Sequence, residues 1–191
     1  MQEYTVKVYD DYTEWYQNGK LHREDGPAVE WVYGDKTWYQ NGKRHRLDGP
    51  AVEHANGNKE WWQNDKLHRL DGPAIEKANG DKYWWQNGKR HRLDGPAIEY
   101  ENGDKCWYQN DLRHRENGPA VEVASGDKIW YQNEKLHRED GPAVEHVNGY
   151  KAYWIDGKRY TEQKFNEKIN PTKKEMTVAE IEAALGYPFV S

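Results

Sequence analysis

The stretch AVEWVYGDKTWYQNGKRHRLDGP, residues 28–50, is followed directly by AVEHANGNKEWWQNDKLHRLDGP, residues 51–73. The pattern recurs with a period of 23 residues and is marked by a tryptophan in each unit. This tryptophan row consists of Trp15, Trp38, Trp61, Trp84, Trp107 and Trp130, with Tyr153 in the seventh place. A fixed period of this length is typical of repeat proteins, in which each unit buries its apolar face only against its neighbours. The period therefore favours a repeat array over a single-core enzyme.

Composition and charge narrow the class of protein further. Of the 191 residues, 32% are charged, which by itself favours disorder, but 10 Trp and 14 Tyr can build a thin aromatic core. The net charge of −5 comes from mixed signs and gives no reason to expect a nucleic-acid partner. No apolar run approaches the roughly 20 residues of a membrane span, and no signal-peptide pattern opens the chain. We therefore expect a cytoplasmic protein without a membrane span.

The single cysteine, Cys106, excludes an intrachain disulfide and fits a reducing compartment. Its equivalents in other units are Thr37, Glu60, Tyr83 and Ile129. Such a variable position favours a structural role over a nucleophilic one.

Two turn signals divide each unit. The first is Asn-Gly, as at Asn56-Gly57, which between strand-like runs favours a two-residue type I′ hairpin. Counting outward from such a turn places Val52 opposite Trp61 on one sheet face, while residues 51 and 62 share the other face. We therefore predict a core column made of Val or Ile together with the tryptophan row.

The second turn signal follows each tryptophan, as at Asn41-Gly42. A short return segment comes next, and Asp48-Gly49-Pro50 then closes the unit, because proline is confined to turns, edges and strand starts. The prediction is an all-β array of stacked β-hairpins, with two or three short strands in each unit.

A second row of aromatic side chains lies on the face opposite the predicted core. This aromatic row consists of Tyr16, Tyr39, Trp62, Trp85, Tyr108, Tyr131 and Trp154. Rings on a polar face are typical of partner-binding surfaces, so we expect this row to be more exposed than the tryptophan row. Alternatively, the rings cover a thin sheet or face a second layer. The predicted partner-binding residues are Tyr39, Trp62, Trp85, Tyr108, Tyr131, Arg46, Arg69, Arg92 and Arg115.

Histidine, arginine and glutamate also recur at fixed positions of each unit, and aspartate does so in all but one, beginning with His22, Arg23, Asp25 and Glu30. A catalytic site needs a distinctive constellation in one pocket, and here no unit is singled out. The histidines lie a whole repeat apart, too far to share a metal ion. We therefore predict structural ion pairs, no enzymatic activity, no metal and no cofactor. An arginine row that binds a phosphate-rich or acidic partner is the alternative.

The recurring aromatic-aromatic-x-Asn-Gly-Lys-x-His-x-x-x-Gly pattern resembles MORN repeats, in particular the longer variant of phage-encoded and bacterial antitoxin-like proteins. The resemblance covers roughly residues 12–158 and makes Asn41-Gly42-Lys43 the hairpin turn, His45 the loop histidine and Gly49 the glycine that opens the next strand. This chain departs from the family where Arg46 replaces the glycine expected after the histidine. The family implies an elongated, twisted array of stacked β-hairpins used for protein association, with lipid-headgroup binding sometimes proposed, and it implies no reaction.

The two ends differ from the repeats. We predict an N-terminal half-repeat cap over residues 1–14, tandem repeats over 15–160 and a helical C-terminal cap or tail over 161–191. A short helix is expected over residues 161–169. Thr177 and Glu180 form the capping box of a second helix that carries Val178, Ile181 and Leu185 on one face and ends at Gly186. This helix either closes the last hairpin or presents its apolar stripe to a partner.

The sequence supports three functional hypotheses. The first is a non-enzymatic interaction protein, phage-encoded by resemblance, that binds and inhibits a host defence protein in the bacterial cytoplasm. The second is sequestration of a nucleotide-like ligand between aromatic rings and arginines, in a curled array or a homodimer. The third, suggested by resemblance alone, is antitoxin-like neutralisation of a cognate toxin.

Overall fold

A computed structural model describes residues 3–171 and 177–186. It shows a 16-stranded antiparallel main sheet, five separate two-stranded side hairpins and two short helices near the C-terminus. The main sheet begins with β1 (Thr5–Val8), β2 (Tyr12–Gln17) and β3 (Lys20–Leu21). The predicted all-β hairpin array with a helical C-terminal segment is confirmed.

Each subsequent unit adds one hairpin to the main sheet. Its first strand begins at the valine or isoleucine that follows a buried alanine, and its second strand begins at a lysine. The first strands are β4 (Val29–Trp31), β8 (Val52–Glu53), β12 (Ile75–Glu76), β16 (Ile98–Glu99), β20 (Val121–Glu122) and β24 (Val144–Glu145). The second strands are β5 (Lys36–Thr37), β9 (Lys59–Glu60), β13 (Lys82–Tyr83), β17 (Lys105–Cys106), β21 (Lys128–Ile129) and β25 (Lys151–Ile155).

Each side hairpin begins at the residue directly after a member of the tryptophan row. They are β6 (Tyr39–Gln40) with β7 (Lys43–Arg44), β10 (Trp62–Gln63) with β11 (Lys66–Leu67), β14 (Trp85–Gln86) with β15 (Lys89–Arg90), β18 (Tyr108–Gln109) with β19 (Leu112–Arg113), and β22 (Tyr131–Gln132) with β23 (Lys135–Leu136). The last hairpin pairs β25 with β26 (Lys158–Tyr160). Backbone bonds link successive side hairpins: Arg46 N donates to Trp62 O at 3.2 Å, for example.

The register of the main-sheet hairpins differs from the prediction by one residue. Val52 lies opposite Glu60, not opposite Trp61. The loop contains three residues, because the amide of Gly57 donates to His54 O at 2.9 Å and only the glycine has a positive φ, +90°. A turn followed by a left-handed glycine is the geometry of a hairpin with a G1 bulge. The prediction of a two-residue type I′ loop is therefore wrong here.

A one-residue shift moves every side chain to the other face of a strand. One face now carries an inner column of opposed residues, while the other carries alternating glutamate and lysine, an arrangement of opposite charges that stabilises a sheet. The inner column is Val29, Thr37, Val52, Glu60, Ile75, Tyr83, Ile98, Cys106, Val121, Ile129, Val144 and Ala152. The charged ladder runs from Glu30 and Lys36 to Glu145 and Lys151.

The core is smaller than the predicted column. Six alanines are 0% exposed, and Val29, Val52 and Ile98 are buried beside them. These alanines are Ala28, Ala51, Ala74, Ala97, Ala120 and Ala143. Both the tryptophan row and the aromatic row are half-buried. The tryptophan row is therefore not part of the buried core, and the predicted contrast in exposure between the two rows is not found.

The second turn signal behaves as predicted. Gln40 pairs with Lys43 across a two-residue turn in which Asn41 and Gly42 have φ values of 52° and 80°. Both central residues need a positive φ in a type I′ turn. Asn64 and Asp65 adopt the same conformation, so this turn does not depend on glycine.

The first helix closes the last hairpin. Helix α1 (Glu162–Ile169) begins after Thr161, whose hydroxyl accepts from the amide of Lys164. The buried Phe165 packs against Tyr153, with ring centroids 4.9 Å apart. This helix therefore covers the apolar end of the array.

The second helix, α2 (Val178–Leu185), carries the predicted capping box. The carboxylate of Glu180 accepts from the Thr177 amide at 2.9 Å, and the Thr177 hydroxyl accepts from the Glu180 amide at 3.3 Å. Gly186 follows the helix with a φ of +69°. Val178 is exposed, and the side chain of Leu185, predicted to share its face, lies outside the described residues.

Candidate interaction surface

An arginine follows the loop histidine in six units and is held by four contacts in five of them; Arg115 makes three, because Asn117 stands where the other units have aspartate. In one unit, the Arg69 guanidinium carbon lies 4.0 Å from the centre of the Trp61 ring. Its Nε donates to Asp71 at 2.9 Å, and its Nη1 donates to Pro73 O at 3.2 Å and to Glu76 at 2.9 Å. We call this arrangement the arginine clamp. Its arginines are Arg23, Arg46, Arg69, Arg92, Arg115 and Arg138.

The arginine clamp explains why Asp-Gly-Pro closes a unit. The aspartate and the proline carbonyl both accept hydrogen bonds from the guanidinium. The glycine leaves room for the guanidinium, because a Cβ at Gly72 would lie 2.9 Å from the guanidinium carbon of Arg69 and would displace it. Since the φ of Gly72 is not positive, the requirement is steric and not conformational.

The loop histidines link each unit to the next side hairpin. Nδ1 of His68 accepts a hydrogen bond from the amide of Asn87 at 3.1 Å. The same bond recurs from Asn41 to His22, Asn64 to His45, Asn110 to His91, Asn133 to His114 and Asp156 to His137. Within the described residues, no three His, Cys, Asp or Glu side chains are placed to hold a metal ion. The histidines serve a structural purpose.

An acidic or amide side chain after five of the first turns joins neighbouring units in a similar way. Oδ1 of Asp35 accepts from the Ala55 amide at 2.8 Å, and Asn58 accepts from the Ala78 amide at 2.8 Å. The corresponding acceptors in later units are Asp81, Asp104 and Asp127. The backbone hydrogen bond is the main cause that lowers the pKa of Asp35, Asp81 and Asp127 below the usual carboxyl value.

The aromatic row lies on the side of the inner column. The indole N–H of Trp62 donates to Glu60 at 2.9 Å, and Glu60 belongs to that column. Burial raises the pKa of the Tyr39 and Tyr108 phenols. Arginines of the preceding unit cover several rings: Arg44 lies 3.5 Å from the centre of the Trp62 ring.

The predicted site residues therefore divide into two groups. The arginine clamp contacts the charged ladder, as Arg46 does through Glu53 at 3.0 Å, whereas the aromatic row contacts the inner column. The structure does not bring Arg46, Arg69, Arg92 and Arg115 together with Tyr39, Trp62, Trp85, Tyr108 and Tyr131 on one sheet face. Their role in partner binding stays a prediction.

A row of exposed leucines was not predicted from the sequence. Leu47, Leu70 and Leu93 follow the clamp arginines of three consecutive units and are 75%, 76% and 76% exposed. We call them the leucine stripe. The equivalent residues in the other units are Glu24, Glu116 and Glu139. The fold therefore accepts a charged side chain at this position. The sequence signal for these leucines is an apolar residue at a position where other units have glutamate.

Two grooves separate the three leucines. The groove between Leu47 and Leu70 has a volume of about 690 Å³ and includes Trp61 in its lining. The groove between Leu70 and Leu93 has a volume of about 630 Å³ and includes Trp84. The leucine stripe and its two grooves form one continuous surface, because Leu70 lines both.

Carboxylates accompany the leucine stripe. Asp48, Asp71 and Asp94 follow the three leucines directly, and their side chains are 84%, 84% and 85% exposed. Each clamp arginine of these units binds one such aspartate and one glutamate, so each cluster has one positive and two negative charges. The surface therefore presents three exposed leucines with acidic side chains beside them, and the grooves between the leucines also contain polar side chains such as Gln63 and Gln86.

Comparison with protein-family models and with curated proteins finds no match to this chain. The repeated antiparallel hairpins are compatible with the MORN-like resemblance of the sequence. Neither described helix has the length and apolar character that a membrane crossing requires.

Proposed function

We propose that this protein is a non-enzymatic scaffold that binds another protein through the leucine stripe. The observation that supports this function is the exposure of Leu47, Leu70 and Leu93 in consecutive units, where other units have glutamate. Contiguous exposed apolar side chains with a polar rim are typical of interaction sites. The recurring histidines, arginines and aspartates, by contrast, take part in contacts within the array.

A partner-capture experiment tests this function. The tagged protein and the triple variant Leu47→Glu, Leu70→Glu, Leu93→Glu are incubated with bacterial lysates and the bound proteins are identified. We expect a stoichiometric partner with the natural protein and its loss with the triple variant. Retention of every partner by the triple variant, or no stoichiometric partner in any relevant host, would count against the proposal. The glutamates copy residues of other units, so the variant is expected to fold.

The resemblance to phage-encoded repeat proteins makes a bacterial protein the first class of partner to test. Inhibition of a host defence protein is the biological effect we propose. Its test is phage growth in cells that express the natural protein or the triple variant. Equal growth in both, in a host that carries the captured partner, would argue against this effect.

A nucleotide-like ligand receives less support from the geometry. Stacking of a base needs an open ring face and a free guanidinium. The Arg69 guanidinium already lies 4.0 Å above Trp61 and is bound to Asp71 and Glu76. A protein interface therefore fits the described contacts better.

A further inference from the structure

The spacing of the two grooves indicates which element of a partner they accept. Each unit contributes two strands to the main sheet, and neighbouring strands lie about 4.8 Å apart, so equivalent points in successive units lie about 10 Å apart. In an α-helix, residues seven apart are about 10.5 Å apart on nearly the same face, at a rise of about 1.5 Å per residue. An extended strand reaches the same distance in about three residues and then presents the opposite face.

We propose that the leucine stripe is a docking site for a basic amphipathic helix of the partner protein, an inference that rests on the proposed function. Two apolar side chains seven residues apart enter the groove lined by Trp61 and the groove lined by Trp84. Leu70 packs between them, and Leu47 and Leu93 contact the apolar residues on either side. Helices that present apolar residues at this spacing commonly bind in hydrophobic grooves.

The charges around the leucine stripe select a basic helix. Asp48, Asp71 and Asp94 lie next to the leucines with highly exposed carboxylates, within reach of lysine or arginine on the flanks of the helix. Beyond the stripe, Glu116 and Glu139 line a further groove of about 450 Å³ next to Trp130. An acidic helix would meet like charges along this surface, so the arrangement favours one charge class of partner.

The variation among units supports the same occupant. The three leucines lie in consecutive units, so the first and the last are two unit spacings apart, about 20 Å. This distance corresponds to about 14 residues of helix. Glutamate occupies the equivalent position on both sides of this segment. A binding site with an apolar centre and acidic ends matches a helix with an apolar centre and basic ends.

The test is a titration with a fluorescent synthetic peptide of about three heptads, with leucine at heptad-spaced positions and lysine beside them. The comparison peptide has the same composition in scrambled order. The protein variants are Leu70→Glu and Val147→Glu; Val147 is an exposed first-turn residue, so both variants add the same charge. The competing explanation, simple charge attraction, predicts tighter binding to both variants.

We expect the natural protein to bind the ordered peptide at least about tenfold more tightly than the scrambled one. Leu70→Glu should weaken binding by about tenfold or more, the effect of losing one buried leucine, while Val147→Glu should leave it within about twofold. Equal binding of both peptides, or tighter binding to Leu70→Glu, would overturn the inference. If no peptide binds while the partner is still captured and lost in the triple variant, the helix is the wrong occupant but the proposed function stands.

Discussion

Arg69 and Leu70 are neighbours in one loop, but they belong to two different regions of the molecule. The arginine clamp recurs in six units, and in five of them the guanidinium contacts a ring, a carbonyl and two carboxylates, whereas the leucine stripe occupies three units and is largely exposed. A residue present in every unit of a repeat is explained by contacts that every unit makes. An exposed apolar residue confined to some units needs another explanation, and partner binding supplies one.

The largest effect on stability should come from breaking one arginine clamp. Arg69→Ala removes a guanidinium stacked on Trp61 and leaves Pro73 O and Glu76 without their donor. Stacking contributes about 1–2 kcal/mol and a lost partner costs a further 1–2 kcal/mol, so we expect about 2–4 kcal/mol in the free energy of unfolding. Urea denaturation measures the change, with Arg69→Lys as an intermediate control. A change under about 0.5 kcal/mol would show that the clamp does not hold the loop.

The steric role of glycine in the arginine clamp gives the next largest effect. Gly72→Ala should destabilise the protein by about 1–3 kcal/mol, because the new methyl group displaces the Arg69 guanidinium. The same substitution in an Arg69→Ala background should cost much less. Unfolding free energies of the four proteins form a double-mutant cycle, and strictly additive values would contradict the close packing.

Neighbouring side hairpins are joined at one position by one of two residue pairs: an arginine with an acidic residue, or a leucine with a glycine. Nε of Arg90 donates to Asp111 at 2.9 Å. One unit earlier, Leu67 and Gly88 occupy the two equivalent positions. The other pairs are Leu21 with Gly42, Arg44 with Asp65, Arg113 with Glu134, and Leu136 with Gly157.

Exchange of a charged pair for an apolar one tests this pairing rule. We expect Arg90→Leu alone to cost about 0.5–1 kcal/mol, and Arg90→Leu with Asp111→Gly to recover part of it, because the double variant copies Leu67 and Gly88. Thermal or urea unfolding of the single and double variants measures the coupling. If the double variant loses more free energy of unfolding than the two single variants together, the pairing rule is wrong.

Acid should weaken the contacts between units at the first turns. The folded pKa values of Asp35, Asp81 and Asp127 are lowered, mainly by backbone hydrogen bonds. These carboxylates therefore stabilise the fold above their unfolded pKa of about 4, and the stabilisation is lost as the pH falls through the lower folded values. In the triple variant Asp35→Asn, Asp81→Asn, Asp127→Asn, each position carries the residue that one unit already has at Asn58. This variant should show a shallower fall of Tm on acidification. Parallel curves for the two proteins would contradict this account.

The smallest effect on stability should come from the leucine stripe. Leu70→Glu should change the free energy of unfolding by less than about 0.5 kcal/mol, because the side chain is exposed and three other units have glutamate there. Urea denaturation under the same conditions as for Arg69→Ala allows a direct comparison. Destabilisation near that of Arg69→Ala would mean that both residues belong to the structural region.

Local sequence signals predicted the repeat, its side turns and its helix caps. The Asn41-Gly42 turn and the Thr177 and Glu180 capping box depend on residues only a few positions apart, so their geometry can be read from the chain. The first turn failed because Asn-Gly fits both a two-residue loop and a three-residue loop with a bulge. Hydrogen bonds from the neighbouring unit, such as Ala55 N to Asp35, accompany the longer loop.

The candidate site was less predictable for a similar reason. A shift of one residue exchanged the faces, so the predicted core tryptophans lie with the charged ladder and the predicted binding rings lie with the inner column. Arginines that the sequence presents as available cations are held by contacts with Trp and Asp of their own unit and with Glu of the next unit. The leucine stripe became apparent only when exposure could be compared among equivalent positions.

The sequence by itself determined the 23-residue repeat, the all-β class and the positions of the type I′ turns, because these depend on local periodicity and backbone preferences. Tertiary structure decided which face each side chain occupies, which ions are paired and which leucines meet solvent. The physical reason is that hairpin register and ion pairing depend on contacts between residues up to 21 positions apart, as between Arg90 and Asp111. In this array, a single extra loop residue reverses the faces on which those contacts form.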